Sequence, residues 1–211
     1  MDTTEPARAE ALLRRMIELR PEEADLHYNL ANNLSRQNRS QEAEESYRKA
    51  LSLDPEHVTT LINLGILLSQ RGDLVAAKRF FEKALALEPE HPGALASLAK
   101  VEALEGNASV AIRDFERALA EDPRQVETHF ALAQVLRHQG SLDEAIRSFT
   151  RALELAPDRA DIHFELAVTL AARGDFRAAW GHVHRARKIG LEPPEDFVAA
   201  LRNRMPEPQE P

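Results

Sequence analysis

The chain has 211 residues, a formal net charge of -8, 29% charged side chains and no cysteine. The missing thiols exclude disulfides, cysteine nucleophiles and cysteine-ligated metals, and the acidic balance excludes the broad positive field that drives nonspecific nucleic-acid binding. No apolar run approaches the ~20 residues that span a bilayer, and Met1 to Pro6 lack the basic start and apolar centre of a secretory signal. The default expectation is therefore a cytoplasmic chain without membrane insertion, although a periplasmic or secreted chain trimmed of its leader would read the same.

Five prolines, Pro21, Pro55, Pro89, Pro123 and Pro157, stand 34 residues apart. A period that strict predicts an array of helical repeats read as one domain over 1–205. A half unit, 6–23, comes first. Its Ala9, Leu13 and Met16 occupy the positions that later second helices give to Ala, an aromatic and Ala, but no partner helix precedes it. Three readings stand: a piece of a longer array, a frayed cap, or self-association through the exposed side at Leu12 and Ile17.

Five full units follow, 24–57, 58–91, 92–125, 126–159 and 160–193, each predicted to be two helices. The first helix places bulky residues three and four apart on one face, as in His27, Leu30 and Leu34, or His129, Leu132 and Leu136. The second repeats an aromatic between alanines: Ala43, Tyr47, Ala50; Ala77, Phe81, Ala84; Ala111, Phe115, Ala118; Ala145, Phe149, Ala152. A ring can enter a groove there while the small residues allow close approach. Between the helices, Gly72, Gly106, Gly140 and Gly174, with Asn38 in the first unit, suit a left-handed turn. Asp73, Asn107, Ser141 and Asp175 are expected N-caps, Ser141 with Glu144 a capping box, and Ser40 the cap of the first unit. Each proline ends the second helix. Pro193 and Pro194 precede a capping helix within 194–205, with Phe197, Ala200 and Leu201 inward, and 206–211 reads as a disordered tail.

Read along its slots, the second unit runs Leu61, Leu64-Gly65, Leu68, Gly72, Ala77, Phe81, Ala84, Pro89. This pattern resembles the tetratricopeptide repeat (TPR) family over about residues 6–193. Departures are His27, Leu61, Leu95, His129 and His163 in a slot often filled by Trp, Glu102 for Leu, Val183 for the aromatic and Leu191 for Pro. The resemblance implies an all-α, right-handed superhelical solenoid of helix-turn-helix repeats whose first helices line a concave groove that commonly holds an extended peptide.

On that basis the groove candidates are Tyr28, Asn29 and Asn32; Ile62, Asn63 and Ile66; Ser97 and Lys100; Phe130, Gln134 and Arg137; Phe164 and Glu165. Asn29 and Asn63 fall in equivalent slots and resemble the asparagine ladder in the repeats of the O-linked N-acetylglucosamine transferase; the plainer reading is solvated surface. Ser97, Ala131 and Glu165 end the ladder after two rungs. Asn32 and Asn63 also occupy positions of the family's carboxylate clamp for chaperone tails, but Tyr28, Gly93 and Ser97 replace its cations, which disfavours that ligand. Tyr28, Phe130 and Phe164 read either as pockets for apolar side chains or as packing within the array.

Little else suggests chemistry. His182 and His184 diverge by about 200° on a helix, and His27, His129 and His163 repeat one packing slot, so no metal site, cofactor or catalytic group is expected. The reading is a non-catalytic scaffold for a protein or peptide partner. Two others stand beside it: the substrate-recruiting array of a larger enzyme such as a glycosyltransferase, and a scaffold that self-assembles through its end helices.

Overall fold

The computed structural model describes residues 4–208, which form twelve α-helices and, among these residues, no strand. They are α1 (Thr4–Leu19), α2 (Ala24–Arg36), α3 (Ser40–Leu53), α4 (Val58–Gln70), α5 (Leu74–Leu87), α6 (Pro92–Leu104), α7 (Ala108–Glu121), α8 (Val126–His138), α9 (Leu142–Leu155), α10 (Ala160–Arg173), α11 (Phe176–Ile189) and α12 (Glu195–Arg204). The chain divides into two compact units, Met1–Val101 and Glu102–Pro211, with the boundary inside α6. In the first unit α1 packs on α2, α2 pairs with α3, and α4 with α5; in the second, α8 pairs with α9 and α10 with α11, and α12 closes against α11.

The hairpins share one turn. Asn38 and the four repeating glycines have positive φ, from 60° at Asn38 to 98° at Gly174. The next residue returns its N–H to a carbonyl five positions back: Arg39 to Leu34, Asp73 to Leu68, Asn107 to Glu102, Ser141 to Leu136 and Asp175 to Leu170, at 2.8–3.0 Å. This is a Schellman closure, which satisfies carbonyls that the helix end would otherwise orphan. Gly190, at φ 103°, closes α11 the same way through Leu191 N–H and the Ala186 carbonyl, where the fifth unit lacks its proline. At the other second helices the residue before each proline, Asp54, Glu88, Asp122 or Ala156, is already extended, with φ between -127° and -140°.

Capping differs from expectation. Asp73 does accept from the Ala76 N–H, at 3.0 Å. Asn107, Ser141 and Asp175 make no side-chain cap bond, so the Ser141–Glu144 box does not form. Two of these side chains are spent elsewhere: Asn107 donates to the buried Glu102 carboxylate at 2.7 Å, and Asp175 accepts from Arg173. Ser40 is the first residue of α3, and Arg39 before it bonds Glu42 and Glu10. The caps that sequence reasoning missed belong to the first helices: His57 Nδ1 accepts from the Thr60 N–H at 3.1 Å and His91 Nδ1 from the Ala94 N–H at 3.2 Å.

The core follows the predicted stripes. Every alanine and aromatic of the second-helix pattern is at most 2% exposed, including Ala179, Val183 and Ala186 of the fifth unit. The first helices carry a buried slot of small residues, also 34 apart: Ala31, Gly65, Ala99, Ala133 and Ala167. At Gly65 the approach leaves no room for a side chain, since an added Cβ would stand 2.6 Å from Phe81 Cε1.

The ends differ in detail. On α1, Leu13 and Ile17 pack against the first unit's core, so Ile17 is not on the exposed side; Leu12 and Leu19 are the exposed apolar residues. On α12 the buried pair is Val198 and Leu201, while Ala200 faces out. Trp180 is fully buried and donates to the Met205 carbonyl at 3.0 Å. Two residues later Glu207 accepts from Arg187 at 2.6 Å, His184 at 3.1 Å and Arg202 at 3.3 Å. Burial opposes its charge, but those three donors hold the carboxyl below the ordinary range. Residues 206–208 of the expected disordered tail are thus drawn onto the helices, and 209–211 lie outside the described residues.

Two glycines make a matched test. Gly65→Ala forces the buried Phe81 ring to move and is expected to cost about 1–2 kcal/mol, despite alanine's better helix propensity. Gly181→Ala, on the exposed face of α11 with open space around it, is expected to gain about 0.5–1 kcal/mol. Denaturant unfolding of both variants checks the sign of each.

Candidate functional site

In the N-terminal unit the first helices α2 and α4 lie with one face toward an open cavity of about 290 Å³. Residues 28, 32, 35 and 36 recur on that face of α2, and 63, 66, 67 and 70 on α4, because spacings of three, four and seven return to one side of a helix. At the floor stands Tyr47, reaching across from α3. Phe81, Phe115 and Phe149 fill the same slot elsewhere; only here does the ring end in a hydroxyl.

That hydroxyl donates to Asn32 Oδ1 at 2.5 Å. Asn63 Nδ2 donates to the same oxygen at 3.1 Å and to the Tyr28 hydroxyl oxygen at 3.4 Å. Burial, followed by the neighbouring Tyr28, pushes the Tyr47 phenol up to about 12, so it stays protonated and remains a donor. The network therefore sets both amides. Asn32 turns its Oδ1 inward and has its Nδ2 left over; Asn63 turns its Nδ2 inward and has its Oδ1 left over. Neither leftover atom has a partner among the described residues, and neither is among the buried unpartnered atoms, so both are accessible on residues that line the cavity. One donor and one acceptor side by side complement the C=O and N–H of an extended peptide.

The other candidates of this unit are placed less uniformly. Ile62 is 6% exposed and belongs to the core, because its side of α4 faces the hairpin rather than the cavity. Ile66 is exposed at the cavity wall, and Tyr28 packs on His57 with ring centres 5.1 Å apart. Asn29 is exposed and does not join the network: Asn63 pairs with Asn32, one turn along α2, in place of a rung with Asn29. On α6, Ser97 is half-buried and Lys100 exposed.

In the C-terminal unit four of the candidates are engaged by neighbouring side chains. Arg137 on α8 donates from Nη2 to Glu165 on α10 at 3.1 Å, leaving its buried Nε without a partner among the described residues. Phe130 meets Phe149 edge-on with ring centres 5.8 Å apart, and Phe164 meets Phe197 at 5.5 Å. Packing within the array, the plainer of the two readings for these rings, uses their edges and faces. Gln134 is half-buried on α8.

Two family models match this chain. The middle TPR-like domain of cilia and flagella-associated protein 70 matches residues 3–75, and a tetratricopeptide repeat model matches 62–126, 98–160 and 130–187. The chain belongs to the tetratricopeptide repeat family. Curated protein sequences provide no match. Among solved structures, YrrB, described as a TPR protein with an unusual peptide-binding site, is 28% identical with a TM-score of 0.66, over 90% of this chain and 96% of that one. PilF of Pseudomonas aeruginosa is 21% identical with a TM-score of 0.82, over 93% and 90%. The APC/C hetero-tetramer Cut9-Hcn1 is 21% identical with a TM-score of 0.81, over 95% of this chain but only 39% of that one. The last two likenesses speak for the fold alone.

Within the repeats, histidine in the large first slot has a use the sequence did not reveal. Nε2 of His27, His129 and His163 lies 2.9–3.0 Å from the carbonyl of Pro21, Pro123 and Pro157, six residues earlier. The ring thus pins the start of a first helix to the proline turn before it. His163 also meets His182 through their Nδ1 atoms at 2.9 Å. Since the Pro157 carbonyl takes the His163 Nε2 proton, His163 Nδ1 accepts and His182 Nδ1 donates. His184 points away to Glu207. Among the described residues no group of three or more potential ligands could hold a metal ion.

Burial lowers both rings of the pair; for His182, held down at about 4, burial is the larger cause and the repulsion of His163 adds to it. Against His163, Arg185 also disfavours charge while the Pro157 carbonyl and Asp158 favour it. The unfolded chain takes up a proton near pH 6.5 that the folded His182 refuses until about pH 4, and His163 shifts in the same direction, so the His182 contribution is complete above 6.5 and lost as pH falls toward 4. His182→Gln is expected to lose about 2 kcal/mol less stability than the parent between pH 7 and 4.5, read from denaturant midpoints at each pH.

Proposed function

We propose that this chain is a non-catalytic interaction scaffold that holds an extended segment of a partner protein against α2 and α4. The observation that supports the reading best is the pair of leftover amide atoms, Asn32 Nδ2 and Asn63 Oδ1, oriented by Tyr47 and open to the cavity. A peptide unit laid across them exchanges both of its backbone hydrogen bonds, which provides affinity with little demand on side-chain identity. Ile66 and Tyr28 add apolar surface on either side. The likeness to YrrB, described with a peptide-binding site, points the same way at 28% identity. The C-terminal unit contributes less in this reading, since a ligand there would first have to displace the Arg137–Glu165 pair and two aromatic contacts.

Selection from a displayed random-peptide library on immobilised protein should yield extended binders. Asn63→Ala is expected to weaken a selected binder by about 1 kcal/mol or more, through loss of the backbone acceptor. Unchanged affinity in calorimetry would move the site off this face. Tyr47→Phe keeps the ring in the core and removes only the donor that orients Asn32. It is expected to weaken the same peptide several-fold while shifting stability by no more than about 1 kcal/mol, so binding and unfolding measured on one sample separate orientation from packing.

A further inference from the structure

We propose that the cavity between α2 and α4 selects an acidic peptide: the bound segment presents an Asp or Glu carboxylate to Arg36. The inference rests on the groove reading above and names the side chain that the groove prefers.

Among the described residues Arg36 is the one charged side chain lining the cavity. It stands in the last turn of α2, exposed, with no carboxylate partner among the described residues. Its surroundings are different: Arg39, three residues on, bonds Glu10 and Glu42, and Arg71 bonds Glu44. On a chain of net charge -8 an acidic partner is repelled at long range, so attraction has to come from a cation that the protein's own carboxylates have left free at the site itself. Arg36 meets that condition. Asp25, the carboxylate near the start of the same helix, lies 3.2 Å from His57 Nε2.

The neutral groups agree with an anion. The Tyr28 oxygen accepts from Asn63, which leaves its O–H available to donate to a ligand, and the leftover Asn32 Nδ2 carries two more N–H groups. Against these donors the Asn network leaves Asn63 Oδ1 as its acceptor, which the peptide N–H uses. A guanidinium offers two parallel N–H groups that match one carboxylate. A phosphoryl group, with about -1.5 to -2 charge, calls for more than the single cation this cavity holds. The arrangement also differs from the family's chain-terminal clamp, because Tyr28, Gly93 and Ser97 occupy the cation positions of that clamp and Arg36 lies outside them. The ligand expected is an internal acidic residue in an extended segment.

The test uses fluorescein-labelled octapeptide pools, blocked at both ends and degenerate at flanking positions, with the central residue fixed as Asp or Glu in one pool, Asn or Gln in a second and phosphoserine in a third. Fluorescence anisotropy measures each pool on the parent chain and on Arg36→Gln, Arg36→Lys and Asn63→Ala. The acidic pool is expected to bind at least tenfold tighter than the amide pool. Arg36→Gln should erase that preference but keep the weak amide-pool affinity, Arg36→Lys should restore part of it, and Asn63→Ala should weaken both pools alike. A preference lost in Arg36→Gln and absent from Arg36→Lys would assign Arg36 a role in shaping α2 and overturn charge recognition. Equal binding of acidic and amide pools overturns the acidic preference and leaves the groove standing; no binding of any pool overturns both. Tighter binding of the phosphoserine pool than of the acidic pool overturns the carboxylate assignment. Circular dichroism melts check that each variant is folded, which is expected for substitutions at the exposed Arg36 and the half-buried Asn63.

Discussion

Everything in this chain depends on a ring seated against a small residue. In the second unit Phe81 lies so close to Gly65 that no Cβ fits without movement, and the other repeats each bury an aromatic or Val183 on the second helix and an alanine on the first. Helices of 13 or 14 residues are marginal alone in water, so this contact is what holds each hairpin closed. The glycine turns make it geometrically possible. Their Schellman closures satisfy the carbonyls at the end of the first helix while reversing the chain, so the small slot and the ring meet without an orphaned backbone group.

The candidate site is a by-product of that packing, altered at one atom. A tyrosine in the aromatic slot fills the core as phenylalanine does, but its hydroxyl emerges on the far side, under the first helices. There it meets Asn32, and the choice of which amide atom turns inward passes to Asn63. The polar network costs little, since every buried atom in it is paired, and it leaves the unpaired atoms where solvent or a peptide can reach them. In the C-terminal unit Phe115, Phe149 and Val183 occupy the slot and offer no hydroxyl, and on its first helices Arg137 and Glu165 pair with each other instead.

Fold and site were not equally legible. Prolines at a fixed 34-residue interval, a glycine or asparagine between the helices and alternating alanine and aromatic stripes are local signals, and the turns and buried stripes follow them closely. Caps were less legible, because a cap is a competition. Asn107 and Asp175 have the right chemistry, but Glu102 and Arg173 offer stronger partners. The slot pattern located Tyr28, Asn32 and Asn63 on one face, yet it also admitted Ile62, which the hairpin buries, and a ladder partner, Asn29, which the network bypasses. Tyr47 and Arg36 went unnoticed as site residues. A tyrosine among phenylalanines was the available signal for the first; the second had none, since an unpaired arginine looks like any other until its neighbours are known.

By itself the sequence determined the helical repeat, its register, its turns and the identity of the buried stripes, because each rests on backbone preferences and spacings within one unit. Only the tertiary structure decided which polar atoms are spent and which are left over. That outcome depends on partners 15 to 35 positions away in the chain, such as Tyr47 for Asn32 and Tyr28 for Asn63, and hydrogen bonds at that separation are set by how helices pack rather than by any local pattern.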